Sequence, residues 1–600
     1  MSFVKTLPHW DMTVVYPSMD SPEFAEGFSS VVHDINDLAK LFDTHQIMKQ
    51  ASPPSLDDQT VQAFETVIQR YNAVLEAKST LSAYITCFVT TNSHDTLAQA
   101  RLSELQQSGV VLAQLSARFI AWIGSLDVEA LIERSQVARE HAFMLRKAKV
   151  RAAHLMTPPE ENLASELNLS GGTAWEKLHG DVTSQLTVSL EIAGQVQELP
   201  MSMVRNLAFD ADRDLRRRAY EAELEGWKRA ALPLAAALNS IKGEVNVLTS
   251  YRGWDSPLEA SLLDNNTDRQ TLDSMLTAAR ESFPDFRRYL HAKARMLGLP
   301  RLAWYDLFAP VTTGEKTWEY EDGAAFIVEQ FGTFSSSLSN FAARAFREHW
   351  IDAEPREGKQ DGAYCTPLRK DESRVFANYK ASFDGVSTLA HELGHGYHNL
   401  NLSKRTMLQR STPMALAETA SIFCETIIRN AALQKAGQQE QIAILEASLQ
   451  GSCQIVVDIA SRFLFEQRLF ERRRQRELSI DELNNLMLEA QRETYADGLD
   501  ERALHPYMWA MKPHYYSSKV SFYNYPYMFG LLFGLGLYAR YKEDGERFKT
   551  SYDELLSSTG LADAATLAAQ FGIGVRSVDF WRKSFAIIRD DIEQFEKLTP

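Results

Sequence analysis

The chain has 600 residues, 45% of them hydrophobic and 24% charged, with a formal net charge of −16 at pH 7. That is globular composition, with length enough for more than one domain and a large core. The acidic excess argues against nucleic-acid binding, since the densest basic stretch, Glu471-Arg472-Arg473-Arg474-Gln475-Arg476, reads as a solvated helix face.

The four cysteines, Cys87, Cys365, Cys424 and Cys453, are far apart and form no C-x-x-C pair. They fit neither a disulfide framework nor a thiolate zinc site, and a reducing compartment is expected. The stretch Met1-Ser2-Phe3-Val4-Lys5-Thr6-Leu7-Pro8 has no apolar core of a signal peptide. The longest apolar run, Met528 to Ala539, carries three glycines and is too short to span a bilayer. A cytoplasmic location with no membrane partner is expected.

Residues 1–30, with prolines at 8, 17 and 22, read as irregular. From about Ser29 to Leu155 the pattern is helical. Val61, Phe64, Val67, Ile68, Tyr71 and Val74 form one stripe, and further stripes follow near 80–94, 95–124 and 127–155. Pro53-Pro54 and Thr157-Pro158-Pro159-Glu160-Glu161 punctuate them, with Thr157 as an N-cap. Around Leu186–Leu199 the period changes to alternation, with a turn at Ala193-Gly194, which predicts a hairpin. The main boundary is placed here, dividing the chain into 1–195 and 196–600. Helical patterning resumes over 203–250 and 268–297. Arg356–Tyr379 is not helical and closes with a strand at Arg374–Tyr379, which would form a sheet edge able to accept an extended peptide.

The next segment carries the strongest chemical signal: His391-Glu392-Leu393-Gly394-His395, an H-e-x-x-H pattern. Ser382 and Asp384 are N-cap candidates, and Val386, Leu389, Ala390 and Leu393 make an apolar stripe. On a helix His391 and His395 lie one turn apart and can reach one tetrahedral metal ion. Glu392 flanks that face, within reach of a water beside the metal but not of the metal itself. A third ligand is needed. Glu418 and Glu425, seven apart on an apolar helical pattern, share a face, and a carboxylate there needs a partner. Glu418 is taken as the ligand and Glu425 as the acceptor that orients an imidazole N–H. His398 lies about 10.5 Å along the helix from His391, too far for both to reach one ion, and reads as a packed residue.

Lys512–Gly530 contains His514 and the tyrosines Tyr515, Tyr516, Tyr523, Tyr525 and Tyr527. Phenol or imidazolium donors suit an oxyanion developing on a peptide carbonyl. A helix is expected to start at Pro526, with Gly530 and Gly534 allowing close packing. Spacing alone does not choose among these tyrosines.

These residues resemble the oligoendopeptidase F branch of the thimet oligopeptidase family of zinc peptidases. Trp10-Asp11-Met12-Thr13-Val14-Val15-Tyr16-Pro17 is similar to the family's opening, and Leu169–Trp175 to its L-x-G-x-x-A-W segment. Gly362-Ala363-Tyr364-Cys365 resembles its lead-in to the active helix. Ala390–His395, Ala417–Glu425 and Phe522–Tyr527 carry the rest of the resemblance.

The resemblance implies a mainly α zinc-peptidase fold, with a small β-sheet near the active helix and a deep channel between an N-terminal helical region and the catalytic region. It implies one Zn2+ on His391, His395 and Glu418, with Glu425 behind them. Glu392 is then the catalytic base, and His514, Tyr523 and Tyr527 are the donors. Short peptides would be cut internally. A zinc carboxypeptidase on a related fold and a catalytically inactive peptide-binding protein are the rival expectations.

Overall fold

The structure, a computed structural model, describes residues 7–50, 54–312 and 316–599. The expectations placed on Met1–Thr6 and on Pro53 lie outside these residues.

The fold is mainly α-helical, with two hydrophobic cores. The first gathers residues between Met12 and Ala148, together with Leu368. Its helices include Pro22–Thr44, Asp58–Thr91 and Thr96–Ser125. The irregular stretch expected through residue 30 in fact ends at Ser21. Ser21 caps the first helix by accepting from the Phe24 N–H, and Pro22 sits where a helix leaves its N–H without a partner anyway. The stripes at 61–74 and 80–94 belong to one helix, Asp58–Thr91, capped by Asp57. The 127–155 stripe is broken into Val128–Arg134, Gln136–Glu140 and Ala142–Ala153.

The second core runs from Val188 to Phe595. It begins with the expected hairpin, β1 (Thr187–Ile192) and β2 (Gln195–Pro200), paired antiparallel. Its turn places Ala193 and Gly194 at φ 50° and 79°, which suits a two-residue hairpin loop. The 195/196 division falls inside this hairpin, whose buried Val188, Leu190 and Leu199 pack with the second core.

A three-stranded sheet joins the two bodies. Its strands are β3 (Ile351–Asp352), β4 (Tyr364–Arg369) and β5 (Glu372–Phe376), in the order β3-β5-β4. The strand expected at a sheet edge, Arg374–Tyr379, is therefore central. β5 pairs parallel with β3 and antiparallel with β4, and all its residues are buried; β3 and β4 are the edges. Arg374 donates to the Asp11 carbonyl, and Trp10 packs on Phe376 at 6.2 Å. The opening segment is thus fastened to the sheet that precedes the motif helix.

All four cysteines are free thiols. One helical stretch, Gln438–Arg473, is long and apolar enough to cross a membrane by composition, but 61% of its most apolar window is buried inside the protein. It is continuous through a π-helical turn at Gln454–Asp458.

Candidate metal centre and active site

The motif lies on the helix Phe383–Leu402, capped by Ser382, whose hydroxyl accepts from the Gly385 N–H at 3.3 Å. Val386, Leu389, Ala390 and Leu393 are fully buried, so the predicted stripe faces the core. This fixes the opposite face, with His391 and His395, toward the site. Gly394 is required by a close approach. A Cβ there would lie 2.6 Å from the Ser421 Cα, so the second carboxylate helix can press against the motif.

That second helix differs from the continuous pattern expected over 414–425. A short helix, Met414–Ala417, ends at Glu418, and a new one, Thr419–Lys435, begins there. The break has a consequence. Glu418 and Glu425 do not simply share a face; they bracket one imidazole. The Glu418 Oε2 lies 3.3 Å from His391 Nε2 and 3.4 Å from His395 Nε2, while Glu425 Oε2 lies 3.1 Å from His391 Nδ1. The Ser421 hydroxyl donates to Glu418 Oε2 at 2.6 Å, a contact the sequence reading missed because any serine one turn on would look alike.

One ligand atom from each of His391, His395 and Glu418 falls within 4.8 Å of the others. Two imidazole nitrogens and a carboxylate are a donor set that suits a catalytic zinc. The electrostatics agree. Burial disfavours charge on His391, but Glu418 and Glu425 outweigh it and push the imidazole well up. Burial alone would raise the Glu418 carboxyl, yet hydrogen bonds from the two histidines hold it far below the usual range. The carboxylate therefore asks for positive charge at this point. Glu392 is buried, and burial raises its carboxyl, with His391 and His395 opposing the rise. Its Oε2 has no hydrogen-bond partner among the described residues. His398 is buried and bonded to Thr559 at 2.8 Å, as expected for a packed residue.

The tyrosine segment arrives from the helix Tyr525–Asp544, on which Pro526 stands in the first turn. Gly530 and Gly534 lie directly on the carboxylate helix: a Cβ at Gly530 would be 2.7 Å from Glu418 Cβ, and one at Gly534 would be 2.7 Å from Ile422 Cβ. Tyr527 comes close enough to feel the Glu418 charge, although burial is the larger cause of its raised phenol. The Tyr523 and Tyr527 hydroxyls are 2.7 Å apart. His514 stacks on Tyr523 with ring centres 5.7 Å apart. Phe522, at φ 55°, turns the chain before them, and its N–H is held by Glu466, itself paired with Lys242 at 2.8 Å.

The other tyrosines separate from this group. Tyr525 is buried against the Ser261 carbonyl, Tyr515 against that of Arg462, and Tyr516 stacks on His179 at 3.8 Å. The structure thus brings Tyr523 and Tyr527 together with His514, and places Tyr527 beside Glu418. The sequence reading missed Asn524, whose amide lies 2.6 Å from His514 Nε2.

Of two cavities, the first borders this ensemble and the second is lined by none of its residues. One, of about 610 Å³, is lined by Phe383, Asp384 and Ser387 at the start of the motif helix and by Glu425. The other, of about 790 Å³, lies between the two bodies, with Ser79 and Ser82 on one side and Thr366, Pro367 and Thr412 on the other.

The model of peptidase family M3 matches residues 206–587, and a model described as oligopeptidase F matches residues 123–187. The chain is 23% identical over 611 residues to an oligoendopeptidase F homolog of Lactococcus lactis subsp. lactis, covering 98% of this chain and 97% of that one. It is 22% identical to the group B oligopeptidase PepB of Streptococcus agalactiae, covering 84% and 86%. In fold it is similar to a crystal structure from Chlamydophila abortus, with a TM-score of 0.84 at 20% identity over 99% of this chain and 100% of that one. It is also similar to oligoendopeptidase-F from Enterococcus faecium, with a TM-score of 0.69 at 17% identity over 96% and 98%. The chain belongs to peptidase family M3, in its oligopeptidase F branch.

Proposed function

We propose that this chain is a zinc-dependent oligoendopeptidase that hydrolyses internal bonds of short peptides in the cytoplasm. The observation that carries the reading is the convergence of His391, His395 and Glu418 beside Glu392, a buried carboxylate with an unpartnered oxygen.

In this reading His391, His395 and Glu418 would hold one Zn2+, and Glu425 fixes His391 through Nδ1, which leaves Nε2 on the side of Glu418. Ser421 steadies Glu418 in the same way. When bound, zinc polarises the scissile carbonyl and lowers the pKa of a water toward ~7. Glu392 takes the proton from the attacking water and passes it to the leaving amine; its raised carboxyl suits both roles. Tyr527, Tyr523 and His514 donate hydrogen bonds to the oxygen on which negative charge develops. The Tyr527 phenol, raised chiefly by burial, remains a protonated donor across the working range.

Residues 1–195 wall the substrate path and residues 196–600 carry the chemistry. The cavity of about 610 Å³ at the start of the motif helix gives part of a peptide somewhere to lie beside Glu425. Glu392→Gln is expected to retain zinc, measured by metal analysis, while losing cleavage of an internally quenched peptide. Near-normal turnover in that variant overturns the mechanism. A peptide with a blocked C-terminus is still cut by an endopeptidase, whereas a carboxypeptidase stops.

A further inference from the structure

The hydrogen-bonding chain behind His514 fixes which of its nitrogens carries the proton. Arg462 is buried on the helix Ile459–Arg473, and its Nη1 donates to the Asn524 Oδ1 at 3.4 Å. A guanidinium only donates, so the atom facing it must be the amide oxygen. The Asn524 Nδ2 is then the atom that lies 2.6 Å from His514 Nε2. An amide nitrogen also only donates, so Nε2 must be the bare, accepting nitrogen. The proton of a neutral His514 therefore sits on Nδ1.

Each link in this chain is anchored. Asn524 is buried and immediately precedes the helix that carries Tyr527. Arg462 is paired with Asp458, the last residue of the π-helical turn Gln454–Asp458, and its carbonyl accepts from the Tyr515 hydroxyl. A π turn inserted in a long helix shifts the side chains around it, and such turns recur at functional sites. Here it sets Asp458 against the guanidinium that orients the amide.

The cations nearest His514 are Arg462, paired with Asp458, Lys242, paired with Glu466, and Lys512. Burial, then Arg462, Lys512 and Lys242, hold its imidazole down to about 2. His514 is thus a neutral donor, not an imidazolium. A neutral imidazole donates through one nitrogen only, so activity depends on which one.

We propose that Asn524, oriented by Arg462, is a positioning residue that holds His514 in the Nδ1–H tautomer and so directs its one proton to the substrate carbonyl. This rests on the proposed role of His514 as a donor. No proton is transferred, since the imidazole keeps its hydrogen throughout.

The test compares three variants of the full chain on an internally quenched peptide. Asn524→Ala is expected to lower kcat by about 10- to 100-fold with KM little changed. His514→Gln is expected to cost about 100- to 1000-fold, since it removes the donor itself. Asn524→Asp keeps the shape of the side chain but reverses its hydrogen bonding. A carboxylate only accepts, so it pulls the proton to Nε2 and leaves Nδ1 bare. It also favours the imidazolium, which regains Nδ1–H. Its kcat relative to the parent should therefore climb as pH falls, whereas a merely structural defect would lower kcat equally at every pH.

Ring 15N NMR of histidine-labelled protein, with His514 assigned by its loss in His514→Gln, reads the tautomer without reference to activity. An Nε2–H signature in the parent, or a parent-like pH profile in Asn524→Asp, overturns the proposal. A normal kcat in His514→Gln would instead sink the donor role on which it rests.

Discussion

The two walls of the site are built by different means. The metal wall consists of His391, His395, Glu418 and Glu425, charged or chargeable groups that satisfy one another across 3.1 to 3.4 Å. The donor wall consists of His514, Tyr523 and Tyr527, which are neutral and are held by stacking and by the Arg462–Asn524 and Lys242–Glu466–Phe522 contacts behind them. The metal wall, in the proposed function, is a donor set for a cation. The donor wall is complete as it stands and presents protons. Disturbing the first should be all-or-none, because an incomplete ligand set does not hold the ion; disturbing the second should be graded, because several donors share one oxygen.

The largest effect is expected on the metal wall. Glu418→Gln should lose zinc and with it nearly all cleavage, more than ~1000-fold. Chelation of the parent followed by zinc addition should abolish and then restore activity. Metal analysis with a quenched-peptide assay checks both, and a zinc-free variant that still cleaves would break the distinction. On the donor wall, Tyr527→Phe and Tyr523→Phe should each lower kcat by about 10- to 1000-fold, with zinc retained. Because the two hydroxyls share a hydrogen bond, the double variant should cost less than the product of the singles.

Gly530 touches both walls. Gly530→Ala drives a methyl into Glu418 Cβ and should destabilise the fold by about 1–3 kcal/mol, read as a lower Tm, while weakening zinc binding. A parent-like Tm and zinc content would show that the walls are not mechanically joined there.

The smallest effect concerns His398, on the back of the motif helix. Burial holds its imidazole down to about 4, below its ordinary 6.5. The unfolded chain then binds the extra proton first, so this stability is complete above pH ~6.5 and falls as pH drops from there toward 4. Between pH 7.5 and 5.5 the loss is about 1 kcal/mol. His398→Asn should flatten that part of a Tm-against-pH curve; an unchanged curve would mean that other groups set it.

What could be read in the sequence divides along the same line. The metal wall was legible because a helix converts spacing into geometry. His391 and His395 at i and i+4, capped by Ser382 and backed by Val386, Leu389 and Leu393, need no knowledge of the rest of the chain. Even so, the continuous helix expected through Glu418 was wrong. The break at Glu418 comes from packing against the motif helix at Gly394 and against Gly530, contacts between residues far apart in sequence. The expected sheet edge failed for a similar reason: whether β5 is central depends on β3 and β4 arriving on either side of it.

The sequence by itself determined a helical chain, the two-histidine motif, two carboxylates for it, and a hairpin at 187–200, because each follows from local periodicity or turn chemistry. Only the tertiary structure decided which tyrosines stand together, and that Glu418 and Glu425 grip opposite sides of His391. It alone set Arg462 and Asn524 behind His514. Those outcomes depend on where rigid elements cross, and crossing is set by packing between distant segments, which leaves no period in the chain.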